Sequence, residues 1–192
     1  MRLILASTSP YRKELLSRLR LPFEQISPDF EERPPGSMPP EELVRFNTLG
    51  KAANVLSMHP DATVIASDQL AICDNLVLGK PGNIEAACKQ LSFLSGQRVT
   101  FLTSLAIISE HSVQYETIPF DVCFRQLTDT EVRTYVETEQ PLDCAGSFKS
   151  EGLGISLFER LQGDDTTALI GLPLIRLCQW LEPLKRIKEK TA

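Results

Sequence analysis

The order of segments along the 192 residues predicts a mixed α/β fold, a twisted sheet with flanking helices. Three observations carry that expectation. Short apolar runs of strand character alternate with stretches of helical period, two long alternating segments stand back to back at the centre, and no internal repeat or low-complexity linker interrupts the chain. An apolar share of 42% is ordinary for a globular chain of this length, so residues 1–192 are read as a single domain.

Each element follows from local chemistry. Leu3 to Ala6 is a buried-strand candidate that stops at Ser7-Thr8-Ser9-Pro10. There, hydroxyl caps and a proline at the first helical position start a helix with Leu15, Leu16 and Leu19 on its apolar face. A second strand, about Phe23 to Ser27, enters an acidic, proline-rich loop from Asp29 to Pro40. Glu41 to Met58 then reads as a helix with Leu43, Phe46, Leu49, Ala53 and Leu56 on one face, although Asn47, Thr48 and Gly50 lower its propensity. Thr63 to Ala66 is a short strand, broken by Ser67-Asp68-Gln69 before an apolar run to Cys73. A two-residue turn at Asp74-Asn75 predicts a hairpin in which Cys73 faces Leu76 and Gln69 faces Lys80.

Ile84 to Leu94 forms a helix that Gly96 terminates, and Val99 to Ile108 with Val113 to Arg125 form a long hairpin. A capping box at Thr128 to Glu131 opens a helix that stops before Pro141. The glycine-containing segment Cys144 to Gly154 leads into a strand from Ile155 to Leu161 and a polar turn. Gly171-Leu172-Pro173 introduces a closing amphipathic helix from Pro173 to Leu181.

The net charge of −5 argues against a broad surface for nucleic acid or anionic membrane and leaves room only for a small, locally bound anion. Five well-separated cysteines without a C-x-x-C pair read as reduced thiols, with neither a disulfide framework nor a zinc site. The apolar run at Leu3 is too short for a signal peptide, and no stretch approaches the roughly 20 residues of a membrane span. The cytoplasm is the compartment expected.

Four constellations can carry chemistry. At Ser7-Thr8-Ser9-Pro10-Tyr11-Arg12-Lys13 a strand feeds a helix start whose free N–H groups suit phosphate, and Arg12 and Lys13 oppose the helix dipole unless an anion is bound. The same residues also fit an ordinary capped helix with solvated basic side chains. Asp68, at the strand break, can hold a metal or take a proton from water, or simply cap a turn. The predicted register sets the Lys80 ammonium beside it, which favours the chemical reading. Asp29, Glu31 and Glu32 can supply a second carboxylate to a hard cation or form a solvated acidic loop. Lys51, on its own merits, is a surface lysine. Gly146 to Gly154 can enclose a ligand, with Lys149 and Glu151 supplying opposite charges, or serve as a flexible connection; it is neither a Walker A loop nor a dinucleotide fingerprint. Neither His59 nor His111 pairs with a nucleophile, so a hydrolase triad is unsupported.

Taken in order, Ala6-Ser7-Thr8-Ser9-Pro10-Tyr11-Arg12, Glu32-Arg33-Pro34, Lys51-Ala52, Ser67-Asp68-Gln69, Gly79-Lys80-Pro81, Phe120-Asp121-Val122, Ala145-Gly146-Ser147-Phe148 and Gly171-Leu172-Pro173 resemble the Maf family of nucleotide pyrophosphatases over nearly the whole chain. The resemblance implies cleavage of a nucleoside triphosphate between its α and β phosphates, with magnesium or manganese. It implies two lobes around a cleft, similar to the inosine triphosphate pyrophosphatases, and a homodimer. It assigns Asp68 as proton acceptor and metal ligand, Glu32 to the metal, and Ser7, Arg12, Lys51 and Lys80 to the phosphates.

Gln69 and Glu151 resemble the branch acting on 7-methyl-GTP rather than the sister branch acting on dTTP and UTP, which usually carries threonine and glutamine at these places. The chemistry agrees: one carboxylate can accept both donors of guanine's Watson–Crick edge, and it complements the positive charge that N7 methylation creates. Tyr11 can stack on that cationic ring, or pack against protein at the helix start. A nucleotide-binding regulator of septum formation without significant catalysis is the alternative from a different class. Asn47, Thr48 and Gly50 depart from the leucine-alanine and glutamate usual before Lys51, so the packing of that helix is the open point.

Overall fold

A computed structural model describes residues 2–182. Its strands are β1 (Arg2–Ala6), β2 (Glu24–Ile26), β3 (Ala62–Cys73), β4 (Leu76–Leu78), β5 (Arg98–Ser109), β6 (Ser112–Phe124) and β7 (Phe158–Gln162). Its helices are α1 (Pro10–Ser17), α2 (Pro40–Met58), α3 (Ile84–Leu94), α4 (Asp129–Glu139), α5 (Thr166–Ile170) and α6 (Leu174–Leu181). The strands form one seven-stranded mixed sheet in the order β2-β1-β3-β5-β6-β7, with β4 added on β3, so the expected α/β class with flanking helices is what the chain adopts. By internal contacts the chain divides into two compact units. Among the described residues the first gathers 2–69, Thr103–Ile118 and 165–182; the second gathers Leu70–Leu102 and Pro119–Asp164.

In the first unit β2, β1 and the start of β3 run parallel, with Ile4 opposite Val64 and Leu5 opposite Ile65. Alternation along β1 and β3 feeds two cores. Leu3, Leu5 and Ile65 pack with Leu15 and Leu16 of α1 and Leu174, Leu177 and Leu181 of α6, while Ile4, Ala6, Val64 and Ala66 pack with Ala52 and Val55 of α2. Each fully buried leucine or isoleucine here contributes about 1.5–3 kcal/mol, which is why a strand covered on both faces reads as a continuous apolar run.

The helix over residues 40–58 is uninterrupted, but its buried face is not the one its apolar pattern indicates. Leu43, Val44, Asn47, Thr48, Lys51, Ala52 and Val55 point inward, while Phe46 and Ala53 are exposed. Three polar side chains occupy the core stripe, so hydrophobic periodicity selects the neighbouring stripe instead. Each departure has a partner. Asn47 Oδ1 accepts a hydrogen bond from Arg33 N at 3.1 Å, Thr48 bonds the hydroxyl of Ser104, and Gly50 lies against the ring of Phe30.

A side chain at position 50 would overlap that ring. Gly50→Ala gains roughly 1 kcal/mol of helix propensity and displaces Phe30, so the melting temperature is expected to hold within a few degrees while the loop over α2 loosens. Hydrogen exchange reads this directly: the Asp29 and Arg33 amides, held by Asn54 and Asn47, should exchange faster in Gly50→Ala. Unchanged protection of both amides would show that the close approach is not what seats the loop.

In the second unit Asp74 and Asn75 both take positive φ, +47° and +66°, the geometry of a tight hairpin turn, and Cys73 faces Leu76 as expected. The ladder covers only Ala71–Leu78. The predicted pairing of Gln69 with Lys80 is therefore not made: β4 ends where Gly79 offers no side chain and Pro81 no N–H to continue a strand. Helices α3 and α4 have the predicted limits, and α4 opens with the complete Thr128–Glu131 capping box, which holds the Glu131 carboxyl down to about 2 through its hydrogen bonds to Thr128. Two expectations near the end are corrected. Ile155 begins no strand, because Leu153–Leu157 forms a 3-10 turn and β7 starts at Phe158. The polar turn after Leu161 contains α5, too short for its period to show and capped by Asp165.

Candidate active site

Lys51 is not the surface lysine that its residue type suggests. It is 6% exposed on the inner stripe of α2, and its Nζ donates to Asp68 Oδ1 at 2.8 Å and forms an ion pair with Glu32 Oε1 at 2.7 Å. Asp68 is 7% exposed, in the middle of β3 rather than at its end. A carboxylate buried to that degree requires a compensating charge, and Lys51 supplies it where the sequence reading expected Lys80. Glu32 is the half-exposed partner and reaches in from the acidic loop, which is fixed to α2 by reciprocal bonds between Asp29 and Asn54 and by Arg33 over the Phe46 ring at 4.2 Å. The loop is therefore seated, not merely solvated.

Arg12 joins the same charge cluster. Burial holds its guanidinium below the ordinary arginine pKa, and Asp68 and Glu32, within electrostatic reach, oppose that lowering. Its Nε donates to the carbonyl of Gly171 at 2.9 Å, and its Nη atoms have no hydrogen bond among the described residues. The α1 start is built as predicted: Pro10 is the first helical residue, Ser9 Oγ accepts from Arg12 N at 3.3 Å, and buried Ser7 accepts from Ser9 N at 3.1 Å. Tyr11 is half-buried in that first turn.

Gln69 is oriented by its surroundings. Its amide nitrogen donates to Thr103 Oγ1 at 2.9 Å and to the carbonyls of Ala168 and Leu169 at 2.8 and 3.1 Å. All three are acceptor positions, so the amide can face them only through nitrogen, and Oε1 is the atom it presents elsewhere. Beneath Asp68, the Ser104 hydroxyl bonds the carbonyls of Val44 and Asp68 as well as Thr48, so the β3 backbone at Asp68 is supported from below.

The remaining expected residues lie in the second unit. Lys80 is exposed just after β4, and Glu151 is exposed in the turn before the 3-10 segment. The Gly146–Gly154 segment is anchored rather than loose. Phe148 makes edge-on contacts with Phe101, Phe124 and Phe158 at centroid distances of 5.5, 5.4 and 5.0 Å. Lys149 N donates to the Tyr135 hydroxyl at 3.0 Å, and Leu153 N donates to Glu139. Burial pushes the Tyr135 hydroxyl's pKa up, so it stays a neutral acceptor for Lys149 N.

Only two carboxylates, Glu32 and Asp68, converge on the Lys51 ammonium, and no cluster of three or more His, Cys, Asp or Glu among the described residues could hold a metal ion. Two carboxylates completed by water and a ligand's phosphate oxygens nonetheless match how magnesium is usually held. Arranged this way, the site offers a buried acceptor, a fixed ammonium and a forked guanidinium around one point, a set suited to a phosphorylated ligand. Residues that the sequence reading missed are Ser67, whose hydroxyl donates to Gly171 O at 2.8 Å, Thr103, Ser104 and the carbonyls of Ala168 and Leu169. The Gly171-Leu172-Pro173 string was the visible trace of that last group.

The family profile described as Maf-like protein matches residues 2–184. Curated relatives include the 7-methyl-GTP pyrophosphatase of Pseudomonas aeruginosa, 53% identical over 93% of this chain and 94% of that one. The 7-methyl-GTP pyrophosphatase of Pseudomonas putida is 51% identical over the same shares. Among solved structures the Staphylococcus aureus Ham1 protein superposes with a TM-score of 0.48 at 16% identity, covering 79% of this chain and 88% of that one.

Proposed function

Since the chain belongs to the Maf family, we propose that it is a nucleoside triphosphate pyrophosphatase acting on 7-methyl-GTP, releasing 7-methyl-GMP and pyrophosphate. The observation that carries this reading is the buried Lys51–Asp68 pair with Glu32 and Arg12 in the same cluster. Asp68 Oδ1 is held by Lys51, whereas its other oxygen has no hydrogen bond among the described residues and is the proton acceptor. Water supplies the entering oxygen, its proton passes to Asp68, the α–β phosphoanhydride breaks, and pyrophosphate leaves. Arg12, through its Nη groups, and Lys51, with Ser7 and Lys80, take up the charge of the phosphate oxygens.

Glu32 and Asp68 are the residues that would hold magnesium or manganese. Such an ion, when bound, neutralises phosphate charge as a Lewis acid. No transmembrane helix occurs among the described residues, and a cytoplasmic homodimer completes the proposal.

Discrimination is assigned to Glu151, Gln69 through its Oε1, and Tyr11. The names of the curated relatives support the methylated-guanine reading over the dTTP and UTP one. Offered a panel of triphosphates with magnesium, the protein is expected to turn over 7-methyl-GTP in preference to dTTP and UTP. Glu151→Gln should cut that preference by roughly 10- to 100-fold, the worth of a charge-assisted hydrogen bond. Preferred turnover of dTTP or UTP would move the chain to the sister branch, and tight nucleotide binding without pyrophosphate release would favour the regulator of septum formation.

A further inference from the structure

The segment Asp165–Pro173 holds a buried carboxylate, Asp165, to which no role has been given. We propose that Asp165 is a positioning residue for the reaction, acting through the Gly171 carbonyl on the Arg12 guanidinium. The inference rests on the reading of Arg12 as a phosphate ligand.

Asp165 is 4% exposed. Its Oδ1 accepts from Thr167 N at 2.9 Å and from Thr167 Oγ1 at 2.5 Å, and its Oδ2 accepts from Ile175 N at 2.7 Å. The Thr167 hydroxyl accepts in turn from Leu174 N at 2.8 Å, and the Thr167 carbonyl accepts from Gly171 N at 3.1 Å and Leu172 N at 3.2 Å. One carboxylate therefore ties the start of α5 to the start of α6 and closes the turn between them.

Gly171 lies inside that turn at φ +119°, a conformation open to glycine and strained for other residues. Its carbonyl accepts both Arg12 Nε, at 2.9 Å, and Ser67 Oγ, at 2.8 Å. A guanidinium is a rigid plane, so fixing the Nε–H direction also fixes where its four Nη hydrogens point. Arg12's electrostatic neighbours are Asp68 and Glu32, not Asp165, so Asp165 acts by geometry rather than by pairing. The same segment holds Gln69 through the carbonyls of Ala168 and Leu169. A turn that looks like a connector thus sets two candidate substrate-facing side chains before any ligand arrives, which lowers the ordering cost of binding.

Asp165→Asn turns one acceptor oxygen into a donor facing an N–H or O–H donor, so the turn should shift. In the wild-type background kcat/KM for pyrophosphate release is expected to fall by roughly 10- to 100-fold, the scale of a misplacement near 1 Å. In an Arg12→Ala background the same substitution should cost markedly less, because the share of its effect that passes through the guanidinium is gone and only the share through Gln69 remains. Equal losses in both backgrounds would make Asp165 a stabilising residue only and overturn the proposal.

Should Asp165→Asn fail to fold, Thr167→Val removes the hydroxyl link and should show the same non-additivity, with Thr167→Ser restoring activity. A readout independent of turnover is the Arg12 Nε–H signal in nitrogen-15 spectra, assigned by its absence in Arg12→Ala. It should exchange slowly in wild type and lose that protection in Asp165→Asn; an unaltered signal overturns the proposal. A lost signal in a protein whose wild type releases no pyrophosphate from any triphosphate supports the Asp165–Arg12 link and overturns the proposed function instead.

Discussion

Lys51→Met is expected to destabilise the protein by about 3–5 kcal/mol, the cost of leaving one member of a buried ion pair without its partner. The size follows from which carboxylate is stranded. Asp68 is 7% exposed and its carboxylate loses the hydrogen bond from Lys51, whereas Glu32, with a side chain 54% exposed, simply turns to water. Thermal melts should show a drop in Tm on the order of 10 °C for a chain of this size. Adding Asp68→Asn to Lys51→Met should restore a large part of the loss, since the unpaired charge is then gone. A Lys51→Met protein that melts with wild type would mean that the pair is open to solvent and is not a buried centre. Pyrophosphate release should fall in the same variant, because the ammonium that organises both carboxylates is absent.

Asp68→Asn alone has the largest expected effect on turnover. The amide keeps the shape and can still accept from Lys51, so the fold should survive, but it cannot take a proton from water. A reduction in kcat of about 10²–10⁴-fold follows from the usual contribution of a positioned general base. KM should change much less, because Arg12 and Lys51, the proposed phosphate ligands, are left in place. Steady-state pyrophosphate release over a range of triphosphate concentrations separates the two parameters. If kcat is unchanged, Asp68 is not the base and its burial against Lys51 serves structure alone.

Most of the fold was legible because its elements announce themselves locally. Ser9 and Pro10 start α1, the Thr128–Glu131 box starts α4, Asp74-Asn75 turns the short hairpin, and alternation marks β5 and β6. What escaped depends on partners far apart in sequence. The inner stripe of α2 is polar at Asn47, Thr48 and Lys51 because Arg33, Ser104, Asp68 and Glu32 meet it there, and no local pattern encodes those meetings. The turn at Asp74-Asn75 is readable locally, but how far its ladder extends is not, nor is a helix face carrying the buried lysine that pairs with Asp68. Likewise α5 is only five residues long, less than two helical turns, and the role of its carbonyls and of Gly171 after it as acceptors appears only once Gln69, Arg12 and Ser67 are seen against them.

The packing around Phe148 has a consequence for ligand affinity. Three aromatic rings grip that side chain, and the backbone on either side of Glu151 is tied to Tyr135 and Glu139, so residues 146–154 surrender their freedom when the chain folds. Ordering a loop at the moment of binding costs about 0.5–1.5 kcal/mol for each immobilised side chain. Here the entropy is lost earlier, as part of the unit's own stability, and a ligand that meets Glu151 keeps that share of its interaction energy.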